Sequence, residues 1–429
     1  MDAIQKIRSF ERFGSRLGLE RMEKLMEKLG NPQDGMNFIH VAGTNGKGSV
    51  CRFIYEALKE NGYNAGIYTS PYVEVFNERI EFDGLYITDE DLQTCTDEVL
   101  AEVKEITEMG FDSPTEFEIV TAVAFVYFKK KEADYVVLEV GLGGRGDSTN
   151  IIKKPLISII TSISFDHMDR LGDTIELIAG EKAGIIKEGV PVVSNADHRD
   201  AVNVIARVAG QLNAQLYDVT KIKYGNVKKA PGSYLFDANI YETEYNDVEI
   251  TMIGGHQLQN ALTALTAIEI LRKKELIKIK KDDLYRGLKN AHQLARFEIF
   301  GKDPYFIIDG AHNEKGAEAL KITMREHFAD KKILLVTGML QDKDVKAILK
   351  HFYEITEDFI ATEPENIRKL PAEDLKNEIC SAGKKCIAAA DAVSACKAAI
   401  KLKDKYDVII FTGSLYLLGK IRGIILLIV

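Results

Sequence analysis

The chain has 429 residues, 46% of them apolar and 28% charged, with 33 glycines against 9 prolines. That balance fits two or three globular domains of ~150 residues each, with a core large enough to need no disulfide or metal staple, and excludes a disordered or collagen-like chain. Lys plus Arg total 56 and Asp plus Glu total 65, a net charge of −9 that argues against a nucleic-acid partner but not against a local cationic site for a small anion.

The first fourteen residues are charged throughout and lack the apolar stretch of a secretory signal. Residues 1–29 carry apolar side chains at helical spacing, and Gly30-Asn31-Pro32 predicts the end of that helix. Residues 37–42 (NFIHVA) predict a buried strand, GTNGKGS a turn, and residues 50–58 a helix. Strands are predicted at 64–69, 134–140, 156–163 and 190–194, and helices at 89–109, 115–131, 174–187 and 201–212. This alternation predicts βαβ units and a parallel sheet. Short alternating segments between 214 and 253 predict a small antiparallel patch, and 256–272 and 282–291 predict helices. From Arg296 a second alternating series begins: YFIID, a helix from Glu314, KILLVTG, a helix near 344–352, FIATE, two more helices and DVIIFTG. The final IILLIV predicts a last buried strand. The fold class is α/β: a P-loop-type parallel-sheet ATPase domain over 1–295, then a smaller Rossmann-like domain over 296–429. Five cysteines without CxxC spacing predict reduced thiols and a cytoplasmic location. No run approaches the ~18 apolar residues of a membrane span.

The glycine turn carries the strongest chemical signal. Gly43-Thr44-Asn45-Gly46-Lys47-Gly48-Ser49 lies between a predicted strand and a predicted helix. Glycines let backbone N–H groups point at a phosphate, and the helix N-terminus adds partial positive charge. Lys47 supplies a full charge, and Ser49 a hydroxyl for Mg²⁺. The strict GxxxxGK[ST] pattern is not met, since Val41 holds the first glycine position and Gly48 separates Lys47 from Ser49. Gly141, Gly143 and Gly146 fit GxGxxG, but Asp147-Ser148-Thr149-Asn150 and then Pro155 leave no room for the helix a dinucleotide site needs.

Ser70, Glu139 and His167 each fall at or after a strand's C-terminal end, the edge where parallel sheets collect ligands. Read alone, Ser70 is a turn residue before Pro71, Glu139 a strand-end charge and His167 a surface histidine. Read together beside the glycine turn, they suit Mg²⁺ held partly by ATP. Lys182, on an apolar helix, reads locally as a snorkelling or salt-bridged lysine. Asp309 and His312 follow a strand of the second series, where Asn313 also reads as a helix cap.

With these residues in place, the chain resembles the folylpolyglutamate synthase/dihydrofolate synthase family of Mur-type ATP-dependent amide ligases. The resemblance rests on HVAGTNGKGSV (40–50), YTSPYVEVFNERI (68–80), TEFEIVTAVAF (115–125), LEVGLGGRGDSTN (138–150), SFDHMDRLGDTIELIAGEKAGI (164–185), GGHQLQNALTA (254–264), ARFE (295–298), IIDGAHN (307–313) and FTGSLYL (411–417). It implies ATP binding through Asn45, Gly46, Lys47, Gly48 and Ser49, with Asn260, Arg296 and Asp309 as further nucleotide contacts. It implies two Mg²⁺ ions on Ser70, Glu139 and His167, a carbamate on Lys182, His312 at an interdomain site, and room for a monovalent cation. Lys47, Glu139, His167, Lys182 and His312 are the expected catalytic set. The implied reaction joins L-glutamate to a folate or dihydropteroate, in a monomer with no membrane partner. A Mur-type ligase of cell-wall nucleotide precursors and a non-catalytic nucleotide-binding module are the alternatives. The chain departs from the family's pattern at Tyr72, Gly146, Ser148 and Leu294-Ala295.

Overall fold

The segments FIHVA, YVVLE and ISII are apolar on both faces, which a strand tolerates when helices cover both sides of its sheet. The computed structural model, which describes residues 1–14, 18–230 and 232–428, places them at the centre of an eight-stranded sheet. Across this sheet the order is Leu85–Tyr86, Ile80–Phe82, Ala65–Tyr68, Tyr135–Glu139, Phe38–Ala42, Ile157–Ile160, Val192–Ser194 and Leu216–Asp218. The last six run parallel, so their C-terminal ends share one edge; Ile80–Phe82 runs against them, and Leu85–Tyr86 pairs antiparallel to it. The Lys47–Glu60 helix follows the central strand and packs against the Gly255–Lys273 and Lys281–Asn290 helices.

A three-stranded antiparallel sheet, Lys223–Ala230, Ser233–Ile240 and Thr243–Ile250, sits beside the large sheet. A second sheet domain then orders its strands Glu298–Phe300, Tyr305–Ile308, Val408–Thr412, Ile333–Thr337, Asp358–Ala361 and Lys385–Ala388. All are parallel except the first. One apolar cluster runs from Ile39 and Phe53 through Leu262 to Ile307 and Leu335, so burial of hydrophobic surface is continuous between the two sheet domains.

Several local expectations are corrected. The single helix expected over 1–29 is two, Ala3–Arg8 and Glu20–Lys28, with a 3₁₀ turn at Glu11–Phe13. Gly14 at φ 65° and Gly18 at φ 134° lie outside helical backbone, which interrupts the run; residues 15–17 of that expectation lie outside the described residues. The antiparallel patch begins later than 214, because Leu216–Asp218 joins the parallel sheet. The final apolar run is no strand. It continues the Leu415–Leu426 helix, whose buried Leu417, Leu418, Ile421 and Ile425 follow a helical stripe. Val429 lies outside the described residues. Among the described residues no helix is long and apolar enough to cross a membrane, and the five cysteines are free thiols.

Candidate active site

The Phe38–Ala42 strand delivers the chain into the glycine turn, and the helix opens at Lys47. Two glycines there are required by contact as well as by backbone. A Cβ on Gly43 (φ 152°) would lie 1.8 Å from Thr161 Oγ1, and one on Gly46 (φ 88°) 2.3 Å from Asn260 Oδ1. The turn is pinned from the neighbouring strand: Thr44 N donates to the Ser162 carbonyl at 2.8 Å, and Thr161 Oγ1 donates to the Asn45 carbonyl at 2.7 Å. Lys47 Nζ donates to the Gly43 and Thr44 carbonyls at 3.2 and 3.3 Å, so its ammonium lies over the turn.

Glu139 ends the adjacent strand and is 4% exposed. Its Oε2 accepts the Ser70 N–H at 3.0 Å. Burial pushes its carboxyl above the ordinary range, against the opposing pull of Lys47, the Ser70 amide and Arg296. His167 (φ 48°) caps the short Met168–Leu171 helix. Among the described residues no three His, Cys, Asp or Glu side chains form an all-protein metal cage. A buried carboxylate with a hydroxyl and an imidazole nearby fits a hard divalent ion that draws its other ligands from phosphate and water.

Lys182 is 4% exposed, so it does not snorkel as the local sequence suggests. Its Nζ donates to the Gly43 carbonyl at 2.8 Å, directly behind the turn. Burial, reinforced by repulsion from Lys47, pulls its pKa down to about 7.

The second sheet domain closes over this edge. Asp309 follows the Tyr305–Ile308 strand, and its two oxygens accept Phe297 N–H at 3.1 Å and Ala311 N–H at 3.0 Å. It therefore knits the crossing segment, with Arg296 beside it. His312 Nδ1 lies 2.8 Å from the Gly310 carbonyl. A carbonyl only accepts, so Nδ1 carries the proton and Nε2 remains a free acceptor. Burial holds this ring's pKa at about 4, which keeps it neutral. Asn313 caps the Glu314–Phe328 helix through Oδ1 and donates from Nδ2 to Asn45 Oδ1 at 3.0 Å, reaching the glycine turn. Lys343 and Asp166 form a second interdomain link at 3.1 Å, both largely buried.

A cavity of about 850 Å³ collects every site residue expected from sequence: Asn45, Gly46, Lys47, Gly48, Ser49, Ser70, Glu139, His167, Lys182, Asn260, Arg296, Asp309 and His312. A second cavity of about 430 Å³ adjoins it. The two share Ser70, Pro71, Gly141, Leu142, His167, His312 and Leu415. The second holds groups that the sequence reading gave no role: Arg79, Phe117, Asp147, Lys343, Arg368 and Tyr416. TEFE and DSTN were visible as blocks, but only the fold places Phe117 and Asp147 on one wall. The 141–146 glycines lead into a 3₁₀ turn at Ser148–Ile151 and not into an α-helix, so they build this wall and no dinucleotide site. Of the departures, Tyr72 accepts a hydrogen bond from Arg8 Nη2 at 2.7 Å, Gly146 lines the second cavity, and Ala295 takes a left-handed φ of 55°.

A strand–glycine turn–helix unit in one domain, closed by a second α/β domain at the strand-end edge, is the arrangement of a Mur-type ligase. Residues 41–268 match the Mur ligase middle domain, and 295–415 match the Mur ligase glutamate ligase domain. The chain belongs to the folylpolyglutamate synthase/dihydrofolate synthase family, whose members are ATP-dependent ligases forming C–N bonds. It is 39% identical over 425 residues to the dihydrofolate synthase/folylpolyglutamate synthase of Bacillus subtilis, covering 98% of each chain. It superposes on the folylpolyglutamate synthase of Thermotoga maritima with a TM-score of 0.86 at 35% identity, covering 99% of this chain and 96% of that one. The Mycobacterium tuberculosis folylpolyglutamate synthase complexed with ADP and AMPPCP gives 0.91 at 29% identity, covering 99% of each. These relatives favour glutamate ligation to a folate over a cell-wall precursor or a non-catalytic module.

Proposed function

We propose that this chain uses ATP to join L-glutamate to the carboxylate of a folate, and of dihydropteroate, through an acyl phosphate. The observation that carries this reading is the meeting of the two cavities at Ser70, His167 and His312. ATP occupies the larger cavity, its phosphates on the glycine turn and Lys47. The acceptor occupies the smaller one, its ring system against Phe117 and Asp147. The glutamate carboxylates are drawn to the second domain's Lys343 and Arg368.

A carboxylate is a poor electrophile, so activation comes first. A carboxylate oxygen attacks the γ-phosphorus, the bond to ADP breaks, and an acyl phosphate forms. The glutamate nitrogen then attacks the acyl carbon, the C–O bond to phosphate breaks, and the amide forms. Lys47 and the helix N-terminus stabilise charge on the transferring phosphoryl group. His312 Nε2, neutral and unprotonated, is placed to accept the proton leaving the attacking amine. Closure through Asn313–Asn45 and Lys343–Asp166 excludes water from the acyl phosphate. Ser70, Glu139 and His167 would hold Mg²⁺, which neutralises phosphate oxygens when bound.

Lys182, with its lowered pKa, is suited to carry a carbamate: its neutral amine bonds to CO₂ and releases a proton, turning a buried cation into an anion behind the turn. We assign the domain boundary to 295/296, a monovalent cation to the phosphate cavity, and the reaction to a cytoplasmic monomer. Phosphate release with ATP, glutamate and each acceptor in turn (tetrahydrofolate, dihydropteroate, a UDP-muramyl precursor) tests the reading. Release with a folate-type acceptor is expected, and release only with the UDP-muramyl compound overturns it.

A further inference from the structure

The Leu415–Leu426 helix of the second domain does more than flank the cavities. Its face beyond Leu415 sits on the 70–79 loop of the first domain, the segment that begins with Ser70 and ends with Arg79. A Cβ on Gly419 would lie 1.8 Å from the Val73 carbonyl oxygen and 2.7 Å from its carbon. Both are backbone atoms, so the helix and the loop approach as closely as a bare Cα allows. Val73 itself is buried in the second domain's apolar cluster with Leu417, Leu418 and Ile421. Three residues after Gly419, Arg422 Nη1 lies 3.0 Å from Glu74 Oε1, while its Nε donates to both Glu298 oxygens at 3.0 Å. Glu298 also accepts the Ala295 N–H at 2.8 Å, so one guanidinium ties the loop to the crossing segment.

The loop is built to transmit displacement. Glu78 accepts the N–H groups of Val73, Glu74 and Val75, each at 2.7 Å. One end is fixed by Ser70 N–H on Glu139, and the other by Arg79 on Glu116 at 3.2 Å. A shift of Val73 therefore moves both Ser70, between the cavities, and Arg79, in the acceptor cavity.

We infer that Gly419 and Arg422 are positioning residues that seat the second domain on the 70–79 loop, setting the alignment of the two cavities. They act through Ser70 and Arg79 and touch no reactant. The inference rests on the reaction proposed above, but its test separates the two. Gly419→Ala is compared with Gly423→Ala on the same helix, where a Cβ meets nothing within 4 Å. Both changes favour helix equally, so they differ in the contact with the Val73–Glu74 backbone. Displacing reacting groups by about 1 Å costs up to roughly a hundredfold in rate. Gly419→Ala is expected to lower kcat by about tenfold or more while changing KM for ATP less than kcat; Gly423→Ala is expected to match wild type. Should Gly419→Ala fail to fold, Glu74→Gln carries the test: a fall of about threefold in kcat at an unchanged melting temperature, with Arg422→Lys intermediate between wild type and Arg422→Gln. Equal kcat for Gly419→Ala and Gly423→Ala, or wild-type kcat in Glu74→Gln, overturns the inference. No glutamate-dependent phosphate release by the wild type with any acceptor overturns the reaction instead.

Discussion

Glu139 and Lys182 are opposite charges placed where burial works against both. Glu139 is held in the apolar edge of the sheet with its carboxyl pushed up, so its ionised form weakens the fold at neutral pH. Glu139→Gln is expected to raise the melting temperature and to lower turnover by about a hundredfold or more, read by a thermal melt beside a kinetic assay. Equal turnover would remove Glu139 from the site. Lys182 gives the complementary pH test. A free lysine stays charged until about pH 10.4, but this one releases its proton near pH 7. Its uncharged fraction, the form that the proposed carbamate needs, grows as pH rises through 7. Under the carbamate proposed above, CO₂-depleted enzyme is expected to lose activity and to regain it with bicarbonate. An intact mass without the added CO₂ in active enzyme contradicts the carbamate. Neither property is visible in the local sequence: GEKAGIIK reads as an apolar helix with a snorkelling or salt-bridged lysine, and the 4% exposure of Lys182 and its 2.8 Å contact with Gly43 show the amine turned inward.

At the scale of elements, the strand–turn–helix unit was the most legible part of the chain. NFIHVA, the glycines and the following helical stripe agree with one another, and such agreement across levels marks a segment that tertiary context does not override. The unit makes a sharp prediction. Gly46→Ala drives a Cβ into the Asn260 side chain at a backbone angle that L-residues resist, whereas Gly210→Ala meets open space. The first is expected to weaken ATP binding by about tenfold or more in a titration, and the second to leave it unchanged. Equal affinities would mean that the turn does not bind the nucleotide. Edge elements were the least legible. Glu298–Phe300 and Lys385–Ala388 are short edge strands whose residues alternate too briefly to stand out from helix or loop. IILLIV failed for the opposite reason: six apolar residues carry no period, so burial on a strand and burial on a helix look alike in sequence. The structure resolves them through the preceding residues, where Ser414 starts a helix that runs on past Gly419 and Gly423.

At the scale of the molecule, every site residue expected from sequence lines the larger cavity, whereas only Ser70, His167 and His312 of them also line the smaller one. The residues of the first sit in motifs whose chemistry is local, a glycine turn or a strand-end carboxylate. Those of the second come from both sheet domains, Phe117 and Asp147 from one and Lys343 and Arg368 from the other, and none is assigned a chemistry by its local sequence. The net charge of −9 illustrates the same limit. It excludes a broad basic face, yet every substrate of the proposed reaction is an anion, met by a few cations and by oriented backbone at one cleft. The central claim is that ATP bound on the Lys47 turn activates a folate carboxylate for glutamate. Its most direct measurement is glutamate-dependent formation of ADP and of the glutamylated folate, in matched amounts, by the wild type and by Lys47→Ala. One ADP for each glutamate joined in the wild type, with both products lost in Lys47→Ala and the fold retained, is the predicted result. Wild-type turnover in Lys47→Ala, or ADP formed without glutamylated product, would contradict the account.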